Sequence, residues 1–222
     1  MTEPTVFLVD DDQAARQSII QILDANGIAV EAHSASRMLL TTCDPSRSGC
    51  FILGMRIGGM DGVRLYRCLA GIGWRLPYII ITECDEVCDA ITAVRQGAIA
   101  LEKPIIPKKL LTSVRQAFNE DEKCRREQAI YDSVQMRLDS LTRREHEVLE
   151  LVVAGRLTKQ IARQLNISMK TVEAHRSKIT RKMQIESVAE LVRIVTELKL
   201  FRQHATRPLG MAPSPVEYTT TH

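Results

Sequence analysis

The 222-residue chain predicts an α/β unit, a doubly wound five-stranded parallel sheet, followed by an all-α four-helix unit built around a helix-turn-helix. Three observations predict it. Short apolar runs alternate with amphipathic stretches through the first half, the pattern of strands buried on both faces and covered by helices. A charged segment without proline or glycine, residues 120–139, comes next, and four helical patterns with capping signatures follow it. Basic charge is concentrated late. Residues 1–119 carry 12 Lys+Arg against 13 Asp+Glu, residues 140–201 carry 12 against 7, and residues 158–182 carry 7 against 1. Such a cluster suits a polyanionic partner, with a solvated helix face as the plainer reading.

Taken in order, the strands are Val6–Val9, Ile28–Val30, Phe51–Leu53, Tyr78–Ile81 and Ala98–Leu101. The helices among them are Ala14–Leu23 (ending at Asn26-Gly27), Ser36–Thr42, Val63–Ala70, Glu86–Gln96 and Pro107–Phe118. In such sheets the site lies beyond the carboxyl ends of the strands. There stand Asp10-Asp11-Asp12, Gly54, Thr82-Glu83 and Lys103-Pro104. Residues 120–139 read as a helical connector, because flexible linkers are rich in Gly and Ser. Beyond them Thr142 with Glu145 makes a capping box, and Gly155 closes that helix. Thr158 starts a second helix, Lys159–Leu165. Ser168, at the end of the turn Asn166-Ile167-Ser168, caps a third, Met169–Met183, and Ser187 with Glu190 opens a fourth. A helix, a short turn and a basic second helix form a helix-turn-helix. Residues 202–222, with Pro208, Gly210, Pro213 and Pro215, read as a disordered tail.

These landmarks carry two resemblances. Residues 1–119 resemble the receiver domain of response regulators, a flavodoxin-like fold, through Asp10, Asp11, Thr82, Lys103 before Pro104, and the run Met60-Asp61-Gly62. The resemblance implies a pocket where an acidic pair and an acceptor aspartate hold Mg²⁺. The acceptor attacks phosphorus while the threonine and lysine receive the new charge. It places the acceptor at position 54, where Gly54 offers no nucleophile. Asp61 begins or precedes the next helix and is not expected to substitute. Three more positions depart from the pattern. Ala100 replaces an aromatic three residues before Lys103, in a segment one residue short. Glu83 replaces a small residue, and Gly58 stands where proline is common. Together they predict a receiver-like pocket that no longer uses phosphate and has no cofactor or metal, metal at Asp10 and Asp11 being the alternative. Lys103 is then expected to pair with Asp10 and Asp11 and lower the aspartate pKa.

Residues 140–201 resemble the LuxR/FixJ-type DNA-binding domain through "LTRREHEVLELVVAG", "KQIARQLNISMKTVEAHRSKITRKM" and "SVAELVRI". The order of the two units makes the chain resemble a FixJ-type response regulator. That resemblance implies a transcription regulator, not an enzyme, with double-stranded DNA as partner. Glu173, Ala174 and Ser177 fall on one side of the third helix, facing base edges. Glu173 can accept from a cytosine amino group and Ala174 can touch a thymine methyl. Lys159, Arg163, Lys170, Arg176, Lys178 and Lys182 read as phosphate contacts, with Thr171 on the same DNA-binding surface. Thr158 stands where the family often has asparagine and is expected to cap its helix equally well. His175 is expected to pack or sit beside a phosphate. In the last helix Val188, Leu191, Val192, Val195 and Leu198 make an apolar stripe. Half of it could bury against its own domain, and the remainder suits a two-fold homodimer on a palindromic operator.

Composition sets the outer bounds. At 45% hydrophobic and 26% charged the chain has an ordinary globular balance. No run approaches the ~18 apolar residues of a membrane span, and the start lacks the features of a signal peptide. A cytoplasmic protein is expected. Cys43, Cys50, Cys68, Cys84, Cys88 and Cys124 form no C-x-x-C pair and read as free thiols. Two other roles for the first unit stay open. It could be a ligand-, metal- or redox-responsive sensor, for instance through Cys84 and Cys88, or a protein-interaction decoy with a partner at the receiver.

Overall fold

A computed structural model describes residues 3–35, 44–83, 87–185 and 187–205. The helix expected over Ser36–Thr42, together with Cys43, Cys84 and the tail from residue 206, lies outside the described residues, as do the side chains of Cys88 and Val188. The chain divides into two units, one ending at Cys124 and the other starting at Arg125.

The first unit runs β1 (Thr5–Val9), α1 (Gln13–Asp24), β2 (Val30–His33), β3 (Gly49–Gly54), β4 (Arg56–Ile57), β5 (Met60–Asp61), α2 (Gly62–Gly71), β6 (Tyr78–Thr82), α3 (Val87–Arg95), β7 (Ile99–Glu102) and the start of α4 (Pro107–Asp139). Five strands form one parallel sheet in the order β2-β1-β3-β6-β7. Strand periodicity sorts its two faces. Phe7, Val9, Phe51, Leu53 and Ile80 join Leu65, Tyr66 and Trp74 on one side. Val6, Leu8, Ile52, Ile79 and Ile81 join Ile19, Leu23, Leu110 and Val114 on the other. Runs apolar on both faces are what a sheet covered on both faces requires, so the five-stranded expectation holds.

Beyond shifts of one or two residues at element ends, three features differ. Strand β2 is Val30–His33 instead of Ile28–Val30, because the Ile28 N–H closes α1 onto the Leu23 carbonyl. A two-stranded antiparallel hairpin, β4–β5, was not expected. Gly58 and Gly59 (φ +54° and +85°) make its turn, a backbone suited to glycine. Helix α4 is continuous through Asp139, joining the expected helix 107–118 to the connector. Asp121 on it is buried, and its Oδ2 accepts from the Gly49 N–H at 3.0 Å. Tyr131, Val134 and Leu138 on the same helix pack into the core of the second unit.

The second unit holds the remainder of α4, then α5 (Arg143–Val153), α6 (Thr158–Gln164), α7 (Met169–Met183) and α8 (Val188–Ala205). The capping box at Thr142 and Glu145 and the cap by Ser168 are as expected. Thr158 is not a cap. Leu157 holds that place, and Gln160 Oε1 accepts from its N–H at 3.0 Å. The threonine lies one residue too far along the chain for its hydroxyl to take that role. Residues 202–205, expected in the disordered tail, continue α8.

Candidate functional site

Asp10, Asp11, Gly54, Glu83 and Lys103 line one cavity of about 150 Å³ at the carboxyl ends of the strands, together with Asp12, Met55, Arg56 and Ile81. Two expected residues do not line it. Thr82 is buried, with its hydroxyl donating to the Glu83 carbonyl at 3.2 Å. Ala100 pairs with Ile80 in the sheet and packs against the core.

Three charged side chains of the cavity, Asp11, Asp12 and Lys103, are held by the protein itself. Asp11 Oδ2 accepts from the Gly58 N–H at 2.9 Å. Proline at position 58 could not make this bond, so the unusual glycine and the occupied aspartate belong together. Lys103 Nζ lies 3.1 Å from Asp12 and 3.5 Å from Glu83, which corrects the expected pairing with Asp10 and Asp11. Asp12 caps α1 with Oδ1, accepting from Ala14 and Ala15, and turns Oδ2 to the lysine. Its pKa is lowered, first by the backbone N–H of Ala15 and then by Lys103. Burial acts to lower the Lys103 pKa, but the bond to Asp12 and the neighbouring carboxylates outweigh it and leave the pKa raised.

Asp10 behaves oppositely to expectation. It is 2% exposed, and burial raises its pKa against the opposing pull of the Asp12 N–H and Lys103. Oδ1 accepts from the Asp12 N–H at 2.9 Å, whereas Oδ2 is buried without a protein hydrogen-bond partner. That bare oxygen lies against Gly54. A Cβ on Gly54 would stand 3.2 Å from both Cγ and Oδ2 of Asp10, which is tight contact. Asp61 is also engaged, capping α2 through the Val63 N–H at 2.8 Å. Gly62 leaves no space for a side chain, since its Cβ would fall on the Gly54 carbonyl.

The residues present do not fit Mg²⁺, a hard ion that needs several oxygen ligands. Position 54 brings no carboxylate and Asp11 Oδ2 is bonded to backbone, which leaves the bare Asp10 Oδ2 short of the oxygen ligands such an ion needs. Among the described residues no group of three His, Cys, Asp or Glu side chains could hold a metal ion.

The second candidate site is the exposed side of α7. Lys170, Thr171, Glu173, Ala174, Ser177 and Lys178 are exposed there, and Val172, Ile179 and Met183 face the core. Lys159 and Arg163 are exposed on α6. Arg181, which the sequence reading did not single out, continues the exposed stripe through 174, 177 and 178; its i+3/i+4 spacing was a usable signal. Lys182 is a correction. Its Nζ binds Glu145 Oε2 at 2.7 Å and the Ser140 carbonyl at 2.9 Å. A lysine that compensates a buried carboxylate is not free for phosphate. His175 is half-buried, with Nδ1 lacking a protein partner.

Two selected residues touch each other through one that was expected only to cap. Thr158 Oγ1 donates to Glu173 Oε1 at 2.7 Å and accepts from Arg176 Nη1 at 3.2 Å. Of the apolar stripe on α8, Leu191, Val195 and Leu198 are buried in the unit's own core, and Val192 is half-buried. The three buried residues are therefore unavailable to a partner subunit.

A receiver-type sheet joined to a basic helix-turn-helix defines a DNA-binding regulator. Residues 6–115 match the family "Response regulator receiver domain" and residues 139–195 match "Bacterial regulatory proteins, luxR family". The chain is 34% identical over 195 residues to the transcriptional regulatory protein FixJ of Rhizobium meliloti, covering 87% of this chain and 96% of that protein. It is 32% identical over 195 residues to the response regulator protein TodT of Pseudomonas putida, covering 87% and 86%. The solved structure of the response regulator StyR superposes with a TM-score of 0.74 at 34% identity, covering 88% of this chain and all of that one. The protein belongs to the FixJ/LuxR-type response regulators, DNA-binding regulators of transcription in two-component systems. No helix among the described residues is long and apolar enough to cross a membrane.

Proposed function

We propose that this regulator controls transcription without aspartyl phosphorylation. On this reading the receiver-like unit is a dimerisation or protein-partner module, and the protein is a cytoplasmic homodimer bound to a palindromic operator. One observation carries the proposal: the third strand ends in Gly54 with the bare Oδ2 of Asp10 against it. No carboxylate stands there to attack phosphorus. The surrounding groups support the same reading, because Asp11, Asp12 and Lys103 already have partners within the protein. The exposed basic residues Lys159, Arg163, Lys170 and Lys178 support DNA binding by the second unit.

The test is incubation of the full chain with acetyl phosphate and Mg²⁺, followed by intact-mass measurement and operator binding. The expected result is no phosphoprotein and unchanged affinity. A stable aspartyl phosphate at stoichiometric yield refutes the proposal.

A further inference from the structure

Glu173 presents a chemical difficulty. It is the single acidic side chain within the basic segment 158–182, and it is exposed on α7 beside Lys170, Ala174 and Ser177. An unrestrained glutamate there would swing away from phosphates and contribute repulsion without reading a base. The structure restrains it. Thr158, the first residue of α6, donates its hydroxyl hydrogen to Oε1 at 2.7 Å. Arg176, one turn along the recognition helix from neighbouring Val172, donates from Nη1 into the same hydroxyl oxygen at 3.2 Å.

A threonine hydroxyl has one hydrogen to give and lone pairs that accept. With the guanidinium on a lone pair, the hydrogen is directed to the carboxylate. Helix capping does not compete, since Gln160 takes the Leu157 N–H. The chain Arg176–Thr158–Glu173 thus links α6 to α7 and engages Oε1 of Glu173, with Oε2 the second acceptor of the exposed side chain. A carboxylate fixed in the major groove matches the N4 amino group of cytosine.

We propose that Thr158 is a positioning residue for base recognition: it holds Glu173 so that the remaining carboxylate oxygen accepts from a cytosine amino group, once per half-site. This rests on the DNA-binding reading and on Glu173 facing the groove. It assigns sequence preference to a hydroxyl on the supporting helix, which itself touches no base.

The test begins with selection of sites from random double-stranded DNA by the full-length protein. Affinities follow for sites carrying each base at each half-site position, for wild type, Thr158→Val, Thr158→Ser and Glu173→Ala, with thermal melts confirming folding. Wild type is expected to prefer cytosine about fivefold or more at one position. Thr158→Val and Glu173→Ala should flatten preference at that same position to within about twofold while largely keeping the salt dependence, because Lys159, Arg163, Lys170 and Lys178 are untouched. Thr158→Ser, which keeps the hydroxyl, should retain the preference. The inference is overturned if Thr158→Val keeps the cytosine preference, if it weakens all sites equally, or if Thr158→Ser behaves as Thr158→Val. Salt-dependent binding with no base preference in wild type also overturns it. Absence of any DNA binding would instead remove the reading on which it rests.

Discussion

Replacing Glu145 by glutamine should destabilise the DNA-binding unit in a manner that pH reverses. The Glu145 side chain is 4% exposed, and its Oε2 accepts from Lys182 Nζ at 2.7 Å and the Thr142 N–H at 2.8 Å. The Lys182 ammonium first, and then the Thr142 backbone, hold the carboxyl at about 2 against an ordinary 4.5. At about 1.4 kcal/mol per pKa unit, that shift corresponds to about 3 kcal/mol. Because the folded-state pKa is lowered, this stability is fully present above pH ~4.5 and is lost as pH falls through ~2. For a unit of this size the difference shifts the melting temperature by about 10–20 °C. Far-UV circular dichroism would follow melting of wild type and Glu145→Gln at pH ~7 and ~2.5. Fluorescence offers an internal control, since the one tryptophan, Trp74, is buried in the other unit. The helical transition of the variant should drop at neutral pH with the tryptophan transition unmoved, and the gap should shrink to roughly a quarter at pH ~2.5. Coincident melts at pH ~7, or a gap of the same size at pH ~2.5, would refute the reasoning.

Gly54→Asp is expected to lower receiver stability by about 1–3 kcal/mol, the usual cost of overpacking, since the new Cβ lies 3.2 Å from Asp10. The loss, read by Trp74 fluorescence, should be larger at neutral pH than in acid, because burial already raises the Asp10 pKa and a second carboxylate beside it raises it further; a variant as stable as wild type in both conditions contradicts the tight contact. Lys170→Ala and Lys178→Ala should each reduce the slope of log affinity against log salt by about 1. Lys182→Ala should leave that slope unchanged while lowering the melting temperature, and a slope change there would return Lys182 to the phosphate contacts.

Much of the architecture was legible because it is local. Alternating apolar runs located all five sheet strands, with β2 displaced, and the Thr142 and Ser168 signatures located two helix starts. The misses involve partners far apart in sequence. Nothing near Lys103 says that its carboxylate is Asp12, 91 residues away, and nothing near Lys182 points to Glu145, 37 residues away. The β4–β5 hairpin escaped because two-residue strands carry no periodicity, although Gly58-Gly59 was a usable turn signal. Thr158 shows the same limit. Capping ability can be read from residue type, but an adjacent leucine taking the cap and freeing the hydroxyl cannot.

The departures around Gly54 are coupled through geometry, and this gives the proposal more weight than their number does. Gly58 supplies the N–H that occupies Asp11, and Glu83 supplies a second carboxylate for Lys103. Missing bulk at position 54 is what leaves room for Asp10 to point its bare oxygen inward. Restoring an aspartate at 54 alone would therefore place a second carboxylate against a buried one whose pKa is already raised, with Lys103 already shared between Asp12 and Glu83. Such a pair binds a proton more readily than it attacks phosphorus. In this view the rewiring resists reversal by one substitution, and recovering phosphorylation would require changes at 54, 58 and 83 together.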